Sequence, residues 1–303
     1  MDRDIRTVDD VLKLLDALFT PAADRWTADA ASWWDGFYAD RSRPVPFFVA
    51  KPDENLVSYL ERGLITPGRA LDLGCGPGRN ALHLATAGFE VDAVDLSPTA
   101  VAWAQERARK EGVEVRFLCG DAFALADAEL RGPYDLIYDS GCFHHLPPHR
   151  RISYLALLQR ALAPGGHFAL TCFAVGAMGS ELDDIDFYRE KGLKGGLAYT
   201  PDSLRRIFSD LEPDLESDLE PDLESDLEPD LEDDLEPDLE SDLEDDLEPD
   251  LEDDLEPDLA SDLEEIELRR MHDEPPASPH FGEPFLWTAL FRRNGRSRPS
   301  HDA

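Results

Sequence analysis

The sequence predicts a doubly wound α/β domain with a mostly parallel sheet, interrupted by a long acidic repeat. Two observations support this fold class. Short apolar runs such as Val91–Val94 alternate with helical segments such as Ser97–Lys110, an alternation typical of βαβ units. A glycine-rich turn also follows the first strand, and in such sheets ligands bind beyond the carboxyl ends of the strands. The site is therefore expected at that edge.

The elements are predicted in chain order from apolar periodicity, capping residues and helix breakers. An amphipathic helix at Thr7–Phe19, an aromatic segment at Trp26–Phe48 that Pro44 and Pro46 keep irregular, and a helix at Asp53–Arg62 come first. The strands that follow are predicted at Ala70–Leu73, Val91–Val94, Val115–Leu118, Leu136–Tyr138, His167–Cys172, Ile266–Met271 and Phe285–Phe291. The helices between them are predicted at Asn80–Ala87, Ser97–Lys110, Arg150–Leu162 and Thr200–Phe208.

Residues 209–264 are fourteen tandem tetrapeptides of the form x-Asp-Leu-Glu, broken once by Ala260. They contain no Lys or Arg, so the formal charge of −37 divides into −30 for the repeat and −7 for everything else. As a helix, a leucine at every fourth residue drifts around the axis, and recurring prolines interrupt each stretch. High charge without aromatic residues favours a solvated chain. We therefore predict a disordered acidic insertion.

The predicted organisation has four parts. A helical and aromatic cap comprises residues 1–56, and the main domain comprises residues 57–208 and 265–293. The repeat comprises residues 209–264, and a flexible tail comprises residues 294–303. The sequence shows no apolar run suited to a membrane span, no export signal and no basic nucleic-acid footprint. Its four cysteines form no Cys-x-x-Cys pair, which favours reduced thiols and no metal site. A cytoplasmic protein without nucleic-acid or membrane partners is expected; its oligomeric state stays open.

The first strand ends in a glycine-rich turn that runs Leu71-Asp72-Leu73-Gly74-Cys75-Gly76-Pro77-Gly78-Arg79-Asn80. Its three glycines let the backbone turn tightly and approach a ligand closely. A dinucleotide-binding fingerprint needs a small residue where Arg79 stands. Asp95 ends the second strand, 21 residues after Gly74, where a carboxylate can accept both hydroxyls of a ribose. Asp121 follows the third strand and is placed to accept from an amino group on a base.

With Tyr134-Asp135-Leu136-Ile137-Tyr138-Asp139, these motifs resemble class I S-adenosylmethionine-dependent methyltransferases, strongly over about residues 57–173 and more loosely over 200–208 and 265–292. Residues 139–147 are similar to the small-molecule branch, near the thiol, thiopurine and tellurite methyltransferases. The resemblance implies a Rossmann-like, seven-stranded sheet with an antiparallel last strand, and S-adenosylmethionine as methyl donor. It implies a glycine turn against the methionine moiety, Asp95 on the ribose and Asp121 at the adenine. The cofactor-binding residues expected from it are Asp72, Gly74, Cys75, Gly76, Gly78, Asn80, Asp95, Leu96, Ser97, Asp121, Ala122 and Asp139.

The function expected is in-line transfer of a methyl group to a small molecule, with sulfur, nitrogen, oxygen or a soft anion as acceptor. His144 and His145 are candidate general bases because imidazole titrates near neutrality, and Asp139 borders the same space. A thiol or soft anion would need no base. Aromatic residues of the cap form either a lid over the acceptor or a seal on the sheet: Trp33, Trp34, Tyr38, Phe47 and Phe48.

Two other functions stay open on the sequence. A nicotinamide-dependent oxidoreductase could use the same architecture, although Arg79 speaks against it. A protein whose acidic repeat binds calcium or polycations is the other alternative. The repeat lacks the glycine turn and fixed ligands of a dedicated calcium loop.

Overall fold

The computed structural model describes residues 5–126, 128–191, 195–209 and 262–295. Seven strands form one sheet in the order β3-β2-β1-β4-β5-β7-β6. Strand β7 is antiparallel to both of its neighbours, and the pairs β1–β2, β1–β4, β2–β3 and β4–β5 are parallel. This confirms the predicted sheet. The strands are β1 Arg69–Leu73, β2 Glu90–Asp95, β3 Arg116–Cys119, β4 Tyr134–Ser140, β5 Leu162–Phe173, β6 Leu263–Arg270 and β7 Leu286–Arg293.

The helices over the described part of the chain are α1 Val8–Asp16, α2 Ala31–Ala39, α3 Glu54–Glu61, α4 Arg79–Thr86, α5 Pro98–Glu111, α6 Ala122–Leu125, α7 Arg150–Ala161, α8 Asp184–Glu190 and α9 Pro201–Phe208. Their starts follow the caps read from the sequence: Thr7, Ser97 and Thr200 each accept a backbone N–H of the first turn. The prediction was wrong for the aromatic segment, where α2 forms ahead of Pro44. The prolines lie beyond the end of that helix and do not disturb it.

The sheet is buried on both faces, as a parallel sheet requires. Leu71 and Ile137 belong to the core cluster of one face, and Ala70 and Leu136 to that of the other. This alternation is the period of two that a strand imposes. Because β1, β2 and β4 run in one direction, the residues that follow each strand meet at a single edge.

Strand β6 begins inside the last tetrapeptide of the repeat, three residues before the predicted start at Ile266. Leu263 is buried, belongs to the same core cluster as Phe208, and is paired with Arg293 of β7. Leu263 occupies the same position in its tetrapeptide as the other leucines of the repeat, so the sequence alone does not identify it as a core residue. Residues 210–261 and the tail beyond 295 lie outside the described residues, so the predicted disorder stays a prediction. Among the described helices, none has the length and apolar character needed to cross a membrane.

Candidate active site

A cavity of about 280 Å³ opens at the carboxyl ends of the parallel strands. Most residues predicted for the site line it: Asp72, Gly74, Cys75, Gly76, Asn80, Asp95, Leu96, Asp121, Ala122, His144 and His145. Three predicted residues, Gly78, Ser97 and Asp139, are not among the lining residues. The chain thus gathers the turns after β1, β2, β3 and β4 around one space, as the predicted sheet requires.

The turn after β1 needs its glycines for two separate reasons. Gly74, Gly76 and Gly78 have φ values of +66°, +50° and +79°, a region that costs other residues free energy. At Gly74, an added Cβ would lie 2.7 Å from the Cβ of Cys142. Gly78 precedes α4 and its left-handed backbone starts that helix. Its role is therefore to direct the chain into α4, while Gly74 and Gly76 border the cavity.

Asp95 ends β2 with its carboxylate held by two backbone groups. The Gly76 N–H donates to Oδ2 at 2.8 Å, and the Ser97 N–H donates to Oδ1 at 2.8 Å. Burial raises the pKa of Asp95 to about 6 in spite of these two bonds. Ser97 itself caps α5 and donates to Asp35 at 2.6 Å, so its side chain fixes the end of β2 outside the cavity.

Asp121 follows β3 and caps the short helix α6, with Oδ1 accepting from the Phe123 N–H at 2.9 Å. Burial raises the pKa of its carboxyl. Asp121 and Ala122 line the cavity beside Leu96, which follows Asp95. The turns after β2 and β3 therefore place two carboxyl groups on the same side of the cavity.

Asp72, within β1, has an unsatisfied carboxyl oxygen. It is 2% exposed, and its Oδ2 finds no hydrogen-bond partner among the described residues. Burial, with the nearby charge of Asp53, raises the pKa of Asp72 well above its ordinary range. Thr171 of β5, 1% exposed, also leaves its Oγ1 without a partner. Both residues line the cavity, so these orphaned oxygens point to a ligand that supplies the missing hydrogen-bond partners.

A buried polar cluster centred on Asp53 was not predicted from the sequence. The Asp53 carboxylate forms an ion pair with Arg79 and accepts from Asn80 Nδ2 at 3.0 Å and from the Tyr138 hydroxyl at 2.8 Å. Asn80 Oδ1 accepts in turn from the Asp53 N–H at 3.0 Å. Arg79 also donates to the Ser140 hydroxyl at 3.0 Å. The Asn80 amide, predicted as a cofactor contact, is thus directed to Asp53, which only the tertiary fold brings close.

Asp139 accepts four hydrogen bonds within the protein. The N–H groups of Gly141 and Cys142 donate to Oδ1 at 3.0 and 2.8 Å. The Phe143 N–H and the Tyr154 hydroxyl donate to Oδ2 at 3.0 and 2.8 Å. Burial nevertheless raises the pKa of Asp139 to about 6. Because its acceptor positions are occupied, the structure supports a role for Asp139 in shaping the loop after β4, rather than the direct contact that the sequence predicts.

His144 and His145 lie on that loop and line the cavity. The His144 ring stacks on Phe173 with 3.7 Å between ring centroids, and Nδ1 of each histidine has no partner among the described residues. Burial lowers the pKa of His145 to about 3, and burial and the neighbouring His145 lower the pKa of His144 well below its ordinary value. The premise that these rings titrate near neutrality was therefore wrong, and both are neutral at pH 7.

The N-terminal cap covers the cavity and is anchored at two aspartates. Asp16 accepts from Trp26 Nε1 at 2.8 Å and from Arg150 Nε at 3.0 Å, which ties α1 to α7. Asp35 of α2 accepts from the Ser97 hydroxyl and the Thr99 N–H, which ties α2 to α5. Of the five aromatic residues predicted as lid or seal, three line the cavity and two do not: Trp34, Tyr38 and Phe47 against Trp33 and Phe48. Phe48 is buried and Trp33 is 36% exposed, so the choice between lid and seal stays a prediction.

Comparison with known proteins matches residues 70–166 to the methyltransferase domain family. The matched segment contains the glycine turn, Asp95, Asp121 and the loop after β4. The described residues hold no group of three or more His, Cys, Asp or Glu side chains arranged to bind a metal ion.

The curated proteins that match part of this chain have different descriptions. Hemagglutinin 1 of Eikenella corrodens is 33% identical over 49% of this chain and 45% of that protein. The 2-heptyl-1-hydroxyquinolin-4(1H)-one methyltransferase of Mycobacteroides abscessus is 32% identical over 47% of this chain and 61% of that enzyme. The chain thus spans about half the length of these relatives. Magnesium protoporphyrin IX methyltransferase from Synechocystis PCC 6803, solved with bound S-adenosylhomocysteine, shares the fold at a TM-score of 0.50 and 15% identity, covering 90% of this chain and 98% of that one.

Proposed function

We propose that this protein is an S-adenosylmethionine-dependent methyltransferase that acts on a small molecule. The arrangement of Asp95 carries the proposal: its carboxylate is fixed by two backbone N–H groups at the end of β2, directly beside the glycine turn. A carboxylate so placed is suited to the two hydroxyls of a ribose. The match to the methyltransferase domain family and the similarity to 2-heptyl-1-hydroxyquinolin-4(1H)-one methyltransferase support the same interpretation.

The residues present fit the methyl donor at three points. Asp95, with Leu96, would hold the ribose, and Asp121, with Ala122, would meet the adenine. The turn from Asp72 to Gly76 would lie against the methionine moiety, where Asp72 Oδ2 lacks a hydrogen-bond partner among the described residues. When bound, S-adenosylmethionine supplies a methyl group on a positively charged sulfur. An acidic rather than basic rim suits that charge.

The chain's own contribution is orientation and the exclusion of water. The cap residues Trp34, Tyr38 and Phe47 cover the cavity, and the glycine turn lets a ligand approach the backbone. Holding two reactants in line can supply several kcal/mol of the barrier reduction. Asp139 acts indirectly, by fixing the loop that carries His144 and His145.

Two features favour methyl transfer over the alternatives, and the cysteines bear on the compartment. Arg79 fills a position that dinucleotide binding keeps small, and its guanidinium is committed to Asp53. The domain match is to methyltransferases. The four cysteines are free, which supports a reducing compartment and hence the cytoplasm. Calcium or polycation binding by the repeat concerns residues outside the described part of the chain and finds no support in the domain match.

Binding of S-adenosylhomocysteine, the product of the donor, tests the proposal. Trp26 and Trp34 line the cavity, so their fluorescence should change on titration with this compound and not with NADH. Asp95→Asn should weaken the response, whereas Asp92→Asn should not, because Asp92 lies on the same strand but bonds to Tyr134 away from the cavity. Saturable binding of NADH with no response to S-adenosylhomocysteine would overturn the assignment.

A further inference from the structure

One wall of the cavity is a continuous series of rings. Trp34 lies 5.0 Å from His145, His145 4.4 Å from His144, His144 3.7 Å from Phe173, and Phe173 6.3 Å from Phe285, measured between ring centroids. All five rings line the cavity, and we call them the aromatic wall. It runs from the cap helix α2 past the loop after β4 to the start of β7. A planar aromatic ligand binds favourably to such a surface, because stacked or edge-on aromatic pairs are stabilised by more than the burial of their apolar area alone.

The cationic side chains that line the cavity, within the described ranges, are already engaged. Arg79 is paired with Asp53, and its guanidinium also lies 4.2 Å from the Phe281 ring centroid. Arg25 donates to the carbonyls of Ala22 and Asp24 and lies over Trp33. A phosphate or metalloid oxyanion would therefore enter without a free cation to pair with, at a large desolvation cost.

The two histidines supply polar groups that a neutral ligand can satisfy. His144 is 4% exposed, and its Nδ1 has no partner among the described residues; the same holds for Nδ1 of His145. A neutral imidazole has one N–H donor and one lone-pair acceptor. A buried ring with an unused nitrogen therefore calls for a hydrogen-bonding group on the molecule that packs against the aromatic wall.

We propose that the methyl acceptor is an aromatic or heteroaromatic ring that carries a hydroxyl or thiol, packed on the aromatic wall with that group hydrogen-bonded to the histidine pair. The inference rests on the proposed function. In the reaction, a bond forms between the acceptor oxygen or sulfur and the methyl carbon while the bond from that carbon to the sulfonium sulfur breaks. The acceptor proton passes to an imidazole nitrogen and then to water, which leaves S-adenosylhomocysteine and a methyl ether or thioether.

A panel of acceptors tests the class with the full chain, scored by release of S-adenosylhomocysteine and by mass of the product. The panel contains 2-naphthol and thiophenol as aromatic members, and cyclohexanethiol, ethanolamine and selenite as members without an aromatic ring. We expect 2-naphthol, thiophenol or both to be methylated at least about tenfold faster than the non-aromatic members, the factor that one aromatic contact can supply. Preference between the two distinguishes a hydroxyl from a thiol acceptor.

Variants separate packing from hydrogen bonding. His144→Phe keeps a ring against Phe173 but removes both nitrogens, so kcat for the aromatic acceptor should fall about 100-fold while KM changes little. Trp34→Leu should raise KM about threefold to tenfold through the lost ring contact. Phe89→Leu is the control, because this ring precedes β2 at the opposite edge of the sheet and does not line the cavity, and it should leave both constants unchanged.

Binding of S-adenosylhomocysteine distinguishes failure of this inference from failure of the proposed function. If that compound binds but turnover is confined to cyclohexanethiol, ethanolamine or selenite, or no aromatic member is methylated, the acceptor class is refuted and the methyltransferase proposal stands. Equal kcat for His144→Phe and the unmodified chain would remove the histidine from its role. Failure to bind S-adenosylhomocysteine would overturn both.

Discussion

Acidification should weaken cofactor binding through Asp95. Burial raises the pKa of this carboxyl from its ordinary value of 3.8 to about 6. The ribose hydroxyls donate hydrogen bonds, so they need the ionised carboxylate as acceptor, and a protonated Asp95 would present an O–H in its place. The affinity for S-adenosylhomocysteine should therefore be constant at high pH and fall once the pH drops below about 6.

The size of the effect follows from that pKa. If only the ionised form binds, the dissociation constant rises about tenfold for each pH unit below the pKa, so the value at pH 5 should be about tenfold that at pH 8. Asp95→Asn should lower affinity at pH 8 by about 10-fold to 100-fold, the worth of a hydrogen bond to a charged group. It should also abolish the pH dependence, because the amide does not titrate in this range.

The same shift fixes the sign for stability. A carboxyl whose pKa is raised on folding favours the folded state at low pH, and this contribution is lost as the pH rises through about 6. At pH 8 the ionised Asp95 thus costs about 3 kcal/mol relative to its neutral form. The Asn variant removes this cost, but its side-chain N–H group then faces the backbone N–H of Gly76 or Ser97. The lost hydrogen bond destabilises the folded state by about 1–3 kcal/mol. The two effects nearly cancel, so the melting temperature should change by only a few degrees.

Isothermal titration with S-adenosylhomocysteine between pH 5 and 8, with thermal melts at each pH, measures both quantities. Asp121→Asn is the control, because it leaves Asp95 intact and should keep the loss of affinity below pH 6. An unmodified chain whose affinity is flat from pH 8 to 5 would refute the assignment of Asp95 to the ribose. So would an Asp95→Asn variant that retains the full pH dependence.

Three further changes have defined outcomes. Gly74→Ala should lower the melting temperature by several degrees, since the φ of +66° and the contact with Cys142 together cost about 1–3 kcal/mol; an unchanged melt would contradict the steric argument. Tyr154→Phe removes one donor to Asp139, so denaturant titration at pH 8 should show a loss of about 1.5–3 kcal/mol that shrinks below pH 6, where Asp139 is protonated. Excision of residues 213–264 leaves one Ser-Asp-Leu-Glu unit before Glu265 and removes none of the residues that line the cavity, so the affinity for S-adenosylhomocysteine should be unchanged in calorimetry; a tenfold loss would contradict this expectation.

The sheet could be predicted from the sequence because its signals are local. Strand and helix alternate, and three helix starts carry a Ser or Thr cap that the structure uses. What failed also has a local cause. Helix α2 lacks a side-chain cap, and its aromatic residues cover most of its surface, so no apolar stripe stands out. Strand β6 begins at Leu263, which no pattern separates from the leucines before it.

The position of Asp95 and Asp121 at the cavity was predictable for a related reason. Residues that follow parallel strands must meet at one edge, so Asp95 and Asp121 are placed together by topology alone. The Asp53 cluster joins residues far apart in the sequence, and no spacing rule connects Asp53 with Tyr138. The histidines were found by position, but their protonation depends on burial, which sequence does not reveal.

The neutral state of the histidines bears on how a base could act here. A ring with a pKa of about 3, as at His145, is too weak to ionise a hydroxyl or thiol before attack. As the methyl group adds, however, the proton on the acceptor oxygen or sulfur becomes far more acidic than an imidazolium, so even this weak base can take it during the transfer. Because both histidines stay unprotonated near neutral pH, their titration should not appear in the rate there. At saturating methyl donor, kcat/KM for 2-naphthol should be flat from about pH 6 to about pH 8, whereas a rise with a midpoint near the ordinary imidazole value of about 6.5 would show a histidine that titrates normally and contradict its burial.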